Sequence, residues 1–401
     1  MHVTRVFISS FRNYARLDLF PVSGVNVFYG PNGSGKTNLL ESLFCLSAGY
    51  SHRTGREADL IQHGQDGFTL RAELQGGGAG WVQVQYERER GRQWRAAGGS
   101  SSRHEMGVLF PVVLFAPEDL DLASGQPAAR RRFLDQLCAQ LVPSYHRWLT
   151  TYARVLVQRN ELLREAQARH LSGQLLEAWD EELGELGGKL WGARQAILKR
   201  FNVFLAEQYS SLAGESAALK WWPALDGVGG AADGESEAAT WGALLQEQLG
   251  RNRREEIRQG ATLRGPHRDI LSFETGDEDV RQFGSRGQQR GVVLAARLAQ
   301  QQLLRDHHGT DPVLLLDDVF AELDAGRRQT LLRGIPQGAQ VFLTCTQPAT
   351  LPIWSARRAR YFRVGDGTVT DEGEDSVPPT VRQRGTHQED AEKGDDFAQA
   401  L

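Results

Sequence analysis

Cysteine is scarce: Cys45, Cys138 and Cys345 are the only three in 401 residues, far apart and each within an apolar run. That excludes a disulfide framework and a Cys/His metal knuckle, and it points to a reducing cytoplasm. No apolar run approaches the roughly 18 to 20 residues of a membrane span. The strand-like start Val3–Ile8 lacks the apolar core of a secretory signal. Charge of one sign is not in excess either, with 46 Lys and Arg against 50 Asp and Glu and a net charge of −4. A protein that binds nucleic acid through overall basicity is thereby disfavoured, so any such contact needs local patches. Internal repeats are missing too. What remains, 40% hydrophobic and 24% charged residues, is ordinary for a globular chain of two to three domains.

Against that plain background one stretch stands out. Gly30, Pro31, Asn32, Gly33, Ser34, Gly35, Lys36 and Thr37 match G-x-x-x-x-G-K-[ST], the phosphate loop called Walker A. Its glycines let successive backbone N–H groups converge on phosphate oxygens. Lys36 supplies a point charge for the β- and γ-phosphates of ATP, and the Thr37 hydroxyl is a hard ligand for Mg²⁺. The context fits. Val25 to Tyr29 is a short apolar strand, and Leu39, Leu40, Leu43 and Leu46 recur at helical spacing from Lys36 onward. A helix N-terminus is thus aimed at the phosphates.

Elsewhere, the pattern predicts strands over residues 3–8, 17–19 and 25–29, a hairpin of 68–74 with 81–86, and a strand over 108–115. From about residue 127 long helical patterns take over: 130–141, 143–170, 174–212 and 241–258, with Trp148, Trp179 and Trp191 read as packing between helices. Residues 227–237, rich in Gly, Ala and acidic side chains, read as a mobile loop. A helix over 286–304 and strands over 313–316 and 341–344 follow. Beyond Gly367 the chain is polar and acidic, and disorder is expected.

Pro312 to Asp318 reads as a buried strand ending in two carboxylates, the Walker B pattern. There Asp317 would hold Mg²⁺ and Asp318 would position or activate the attacking water. Walker A and Walker B are roughly 280 residues apart, more than one compact domain spans. The expected division is therefore an α/β P-loop ATPase domain split over residues 1–126 and 261–366, a helical lobe inserted at 127–260, and a tail at 367–401. Ser285, Gly287 and Gln288, opening the helix before Walker B, resemble the ABC-type signature, whose Ser and Gly suit a γ-phosphate. Ala321 to Asp324 lies where that class carries its D-loop. In that class the signature of one subunit closes over the ATP of another, giving a head-to-tail dimer.

With these residues assembled, the chain resembles the RecF family, bacterial recombination-mediator ATPases related to the heads of SMC proteins. The features are Phe11-Arg12-Asn13-Tyr14, the P-loop with Glu41-Ser42 after it, Phe115 to Leu120, Arg130 to Asp135, Gly265 to Asp269, Ser285 to Arg290 and Leu315 to Asp324. They span about residues 1 to 365. The resemblance implies an ABC/SMC-head-like fold and an ATP-dependent homodimer that binds DNA. It also implies cooperation with RecR and RecO in helping RecA displace single-strand-binding protein at gaps. Two departures matter. The segment Phe115 to Asp119 lacks the glutamine that transporter members carry nearby, and Thr344-Cys345-Thr346-Gln347 stands where the class often has a switch histidine. Slow hydrolysis is the expectation. For DNA the candidates are basic clusters, chiefly Arg130 with Arg131 and Arg253 with Arg254, and also Arg264 with Arg268 and the segment Arg357 to Arg360. Each cluster alone has the competing reading of a solvated face or an ion-pair partner. His267 reads as structural or next to the nucleotide rather than a metal ligand. A transport-class ATPase subunit, and a DNA-binding module using ATP only as glue, are the alternatives. The long helical lobe argues against the first and the paired Asp317 and Asp318 against the second.

Overall fold

A computed structural model describes residues 1–76, 80–169, 173–226, 238–348 and 359–374. The chain opens with β1 (His2–Phe11), β2 (Tyr14–Leu19) and β3 (Val25–Tyr29), and the P-loop leads into α1 (Lys36–Ala48). Then come β4 (Gly67–Gln75), β5 (Trp81–Glu87), β6 (Gly91–Ala96) and β7 (Gly99–Ser101). These form an antiparallel sheet in the order β2-β1-β4-β5-β6-β7. Strict alternation makes it one-sided: Val6, Ile8, Leu70, Ala72, Val82 and Val84 are all fully buried on α1's side of the sheet.

A capping box at Ser102 and Glu105 starts α2 (Arg103–Leu109), and β8 (Val112–Phe115) follows. The middle of the chain is α3 (Asp121–Ser124), α4 (Pro127–Leu141), α5 (Tyr145–Arg169), α6 (Glu177–Ala213), β9 (Ala217–Trp222) and α7 (Ala238–Gln259). Next are β10 (Ile270–Thr275), β11 (Glu278–Asp279) and α8 (Arg286–His308). The chain returns through β12 (Val313–Leu316), α9 (Val319–Glu322), α10 (Ala325–Gly334), β13 (Val341–Cys345), β14 (Ala359–Gly365) and β15 (Thr368–Glu374).

The second sheet, ordered β15-β14-β3-β13-β12-β8, is parallel except for β15. β3, β8, β12 and β13 are near-continuous apolar runs, as strands covered on both faces require. β13 separates β3 from β12, so the loop after β3 and the carboxylates after β12 open on the same carboxyl edge.

Two expectations need correction. The stretch from 127 to 260 is not wholly helical: β9 lies within it and pairs along its length with β10. The polar tail does not begin at 367, because Thr368–Glu374 pairs with β14 and extends the sheet. Its alternation was masked by Asp371, Glu372 and Glu374, acceptable on an edge strand. Residues 375–401 and the loop at 227–237 lie outside the described residues. Of the three tryptophans, Trp191 is fully buried while Trp148 and Trp179 are partly buried against the same core.

Asp269 ties β9, β10 and the helices together. Its carboxylate accepts from Trp191 Nε1 at 2.9 Å, Trp221 Nε1 at 2.8 Å and Ala224 N at 3.0 Å, and it pairs with the buried Arg194 guanidinium. Four donors on one buried carboxylate satisfy a charge that would otherwise be expensive. Among the described residues no helix is long and apolar enough to cross a membrane.

Candidate nucleotide site

The P-loop is braced from outside before it can hold anything. Between β1 and β2 the turn places Arg12 at φ 53°. Asn13 Nδ2 donates to Ser34 O at 3.1 Å, Tyr14 OH donates to Gly35 O at 3.0 Å, and Asn38 Nδ2 returns to Asn13 Oδ1 at 2.8 Å. Arg12 grips Glu41 with two hydrogen bonds of 2.9 and 2.7 Å, on the first turns of α1. From the other side the β14–β15 turn presses in. A Cβ on Gly30 would lie 2.2 Å from Val364 O, and one on Gly367, at φ +74°, would lie 2.3 Å from Asn13 O. Only glycine fits either place.

Within the loop, Lys36 Nζ donates to the Gly30 and Pro31 carbonyls, both at 2.8 Å. Burial lowers its pKa from the usual lysine range, and the Asp318 charge opposes that shift. Ser34 Oγ is buried with no hydrogen-bond partner among the described residues. An orphaned buried hydroxyl in a phosphate loop suits an added polar group such as a phosphate.

Walker A and Walker B meet directly. Thr37 Oγ1 donates to Asp317 Oδ1 at 3.0 Å across 280 positions of sequence. A third residue organises the pair. Thr344 Oγ1, at the end of β13, donates to the same Asp317 oxygen at 2.6 Å and accepts from Asp318 N at 2.9 Å. Asp318 itself sits in the left-handed region at φ 49° and caps α9, a strained placement of the sort that functional sites tolerate. A hydroxyl and a carboxylate within hydrogen-bond reach of each other are the hard oxygen donors that Mg²⁺ prefers.

The ABC-like residues sit apart from this cluster. Ser285 caps α8 in a reciprocal box with Gln288, with bonds of 3.2 and 2.9 Å. Gly287 O accepts from Arg327 Nη2 at 2.8 Å, and Arg327 is also paired with Asp324 of the D-loop region. Among the described residues these bonds run to each other and to α10, not to the P-loop. Ser285 is exposed. Further along α8, Arg297 pairs with Asp119 of the Phe115–Asp119 segment. His267 is packed inside, with Nε2 donating to Thr262 O at 3.3 Å and Nδ1 accepting from Tyr152 OH at 2.8 Å, and burial pushes its pKa down to about 4.

Most of the arginines expected at DNA have partners within the chain, and for the buried Arg130 this corrects the reading. Arg130 is buried, donating to Leu271 O at 2.6 Å, Leu122 O at 3.1 Å and Gly125 O at 3.2 Å. Arg131 donates to Asp269 O at 2.9 Å. Arg253 pairs with Asp180 at 2.7 Å and Glu177 at 3.6 Å. Arg264 pairs with Asp226 at 2.6 Å. Only Arg254 of the four named first is exposed with no ion pair among the described residues. A basic cluster in sequence does not say which way its side chains point. The residues missed as contributors were Asn13 and Tyr14, present in a quoted motif but without a role, and Thr344, noted only for not being a histidine.

The whole arrangement has close counterparts. A family model described as RecF/RecN/SMC N terminal domain matches residues 2–357. The chain is 37% identical over 92% of its length, and 98% of the relative's, to the DNA replication and repair protein RecF of Symbiobacterium thermophilum. It is 37% identical over 93% of its length, and all of the relative's, to that of Desulforudis audaxviator. Among solved structures, one of the recombination mediator protein RecF-ATPrS in the RecFOR pathway superposes with a TM-score of 0.84 at 27% identity, covering 93% of this chain and 98% of that one. An SMC head bound to the C-winged helix domain of ScpA shares the fold, with a TM-score of 0.52 at 14% identity over 95% of this chain and 100% of that one. The braced P-loop, the carboxylates joined to it and a likeness running nearly end to end place this chain in the RecF family of DNA replication and repair proteins.

Proposed function

We propose that the chain is an ATP-dependent DNA-binding ATPase of recombinational repair and replication restart, acting in the cytoplasm. The observation that carries the reading is the Thr37–Asp317 hydrogen bond, which joins two phosphate-chemistry motifs from opposite ends of the chain into one site. Gly30 to Thr37 wrap the triphosphate of ATP, and Lys36 turns from the loop carbonyls to the β- and γ-phosphates. Thr37 and Asp317 would hold Mg²⁺, which would offset phosphate charge. Asp318 orients a water whose oxygen bonds to the γ-phosphorus as the bond to ADP breaks, and it accepts the proton. The P-loop domain is read as split over 1–126 and 261–366 around a lobe at 127–260.

The outward-facing Ser285, with Gly287 and Gln288, acts on the ATP of a second copy, so that ATP brings two chains together. The dimer clamps DNA, single- or double-stranded, and hydrolysis releases it slowly. With RecR and RecO it helps load RecA at single-strand gaps. The RecFOR pathway named for the structural relative supports the partners, and its ATP-type ligand supports the nucleotide. Arg254 remains from the sequence candidates as a phosphate contact.

The test is the hydrolysis rate against protein concentration, with and without DNA. A rate rising more than linearly and lifted by DNA is expected. A linear, DNA-insensitive rate from a protein that light scattering shows to stay monomeric with ATP would refute the clamp.

A further inference from the structure

The arginines picked out by sequence clustering are mostly engaged inside the protein. The first sheet instead carries a basic and aromatic surface that no linear run of sequence displays. Its outward residues fall into cross-strand rows. One row runs Asp18, Phe7, Arg71, Gln83, Arg95, and beside it runs Arg16, Ser9, Thr69, Gln85, Gln93. On the other flank Arg5, Glu73 and Trp81 are aligned. The opposite face of these strands is the buried core, whereas the residues of this face are half-buried or exposed.

Its chemistry is unusual for the solvated side of a sheet. Arg71 lies over the Trp81 ring at 4.4 Å, Arg16 over Phe7 at 5.7 Å and Arg5 over Phe20 at 5.5 Å. Four arginines, Arg5, Arg16, Arg71 and Arg95, face three carboxylates here, Asp18, Glu73 and Glu87, in a chain whose net charge is −4. Arg5 is committed to Asp18 at 2.7 Å and Glu73 at 3.4 Å, while Arg71 stands 3.8 Å from Glu73. Arg16 and Arg95 are exposed and form no ion pair among the described residues. At the end of β5 the Glu87 charge is answered by Arg90 at 3.4 Å. A depression of about 280 Å³ lies among Arg5, Phe7, Arg71 and Glu73. The remaining side chains are Gln, Ser and Thr, short hydrogen-bonding groups that clash with nothing flat.

We propose that this open sheet face binds single-stranded DNA, with Arg95 on a backbone phosphate, Arg16 and Arg71 leaving the Phe7 and Trp81 rings for phosphates, and those rings then stacking bases. Interleaved aromatics and arginines on a flat platform suit unpaired bases, whose faces are free, and not a duplex, whose bases are already stacked. The inference rests on the reading that the chain binds DNA and adds where, and in which form.

The test uses the full chain and a fluorescein-labelled oligothymidylate of about 20 nucleotides, followed by anisotropy, with a duplex of equal length beside it. The charge reversals Arg16→Glu and Arg95→Glu together should weaken oligothymidylate binding at least tenfold at moderate salt and flatten its salt dependence by about 0.7 per lost contact. Trp81→Leu should cost about tenfold with little change in that slope. Nucleotide affinity and the unfolding midpoint serve as controls, since none of these residues touches the P-loop. If wild type binds the oligonucleotide and the variants bind it equally well, the surface is refuted while DNA binding stands. Wild type that binds only the duplex refutes the single-strand assignment. Wild type that binds neither refutes the DNA reading beneath both.

Discussion

Thr344→Val is the substitution that separates positioning from scaffolding at the nucleotide site. Valine is branched at Cβ as threonine is, so the change removes the hydroxyl with little change in volume. What disappears is one hydroxyl with two jobs: donating to Asp317 Oδ1 at 2.6 Å and accepting from Asp318 N at 2.9 Å. The first is a charge-assisted bond, worth about 1.5–3 kcal/mol, and the second leaves a backbone N–H short of a partner at about 1–3 kcal/mol. Because the two share one atom, they should not add, and a total stability loss of about 2 kcal/mol is expected. Activity should fall further than stability implies. Both carboxylates lose the group that sets their relative placement, and loss of such supporting contacts typically costs about 10–100-fold. The assay is single-turnover ATP hydrolysis with ATP affinity measured in parallel by a fluorescent analogue. The hydrolysis step should slow by that factor with ATP binding changed less than about threefold, since Lys36 and the loop are untouched. Thr344→Ser, which keeps the hydroxyl, should recover most of the rate. Thr344→Val hydrolysing like wild type, or Thr344→Ser failing as badly as Thr344→Val, would refute the role given to that oxygen.

Other consequences are as direct. Asp269→Asn removes one of the two carboxylates paired with buried Arg194, the other being Asp135 at 2.7 Å, and should cost about 1–3 kcal/mol through the lost charge-assisted hydrogen bonds; a denaturant midpoint unchanged from wild type would contradict it. His267 has its folded pKa depressed from 6.5 to about 4 by burial, so its contribution is complete above pH 6.5 and is lost as pH falls toward 4. Unfolding free energies should drop by about 2 kcal/mol between pH 7 and pH 5 from this group, and His267→Gln should flatten that part of the profile. Gly367→Ala, forcing a Cβ against the Asn13 carbonyl, should weaken ATP binding without touching a phosphate-facing residue, and isothermal titration would show it. Arg130→Gln should lower stability and leave the salt dependence of DNA binding unchanged, whereas a flattened salt slope would restore it as a phosphate contact.

Legibility in the sequence followed how local each device is. The P-loop was readable because eight consecutive residues carry its geometry, and the strand before it and helix after it confirm the context. The Walker B strand was equally plain, as an apolar run with two carboxylates behind it. β15 was not readable, since its charged residues match a disordered tail and only pairing with β14 makes them a strand. Arg130 and Arg131 looked like a basic patch because adjacent arginines share a line of text. Helical geometry turned them inward to the carbonyls of Leu271 and Asp269.

Residue order alone therefore settled the kind of chemistry, a phosphate loop with a carboxylate strand in an α/β frame, because those motifs are contiguous and their backbone geometry is dictated by neighbours. Three things waited for the tertiary structure. They are the bridge of Thr344 between Asp317 and Asp318, the brace from Asn13 and Tyr14 to the P-loop, and the arginine and aromatic face of the first sheet. Each is assembled from separate segments of the chain, and the register of a sheet, which sets such neighbours, is written in no single stretch of sequence.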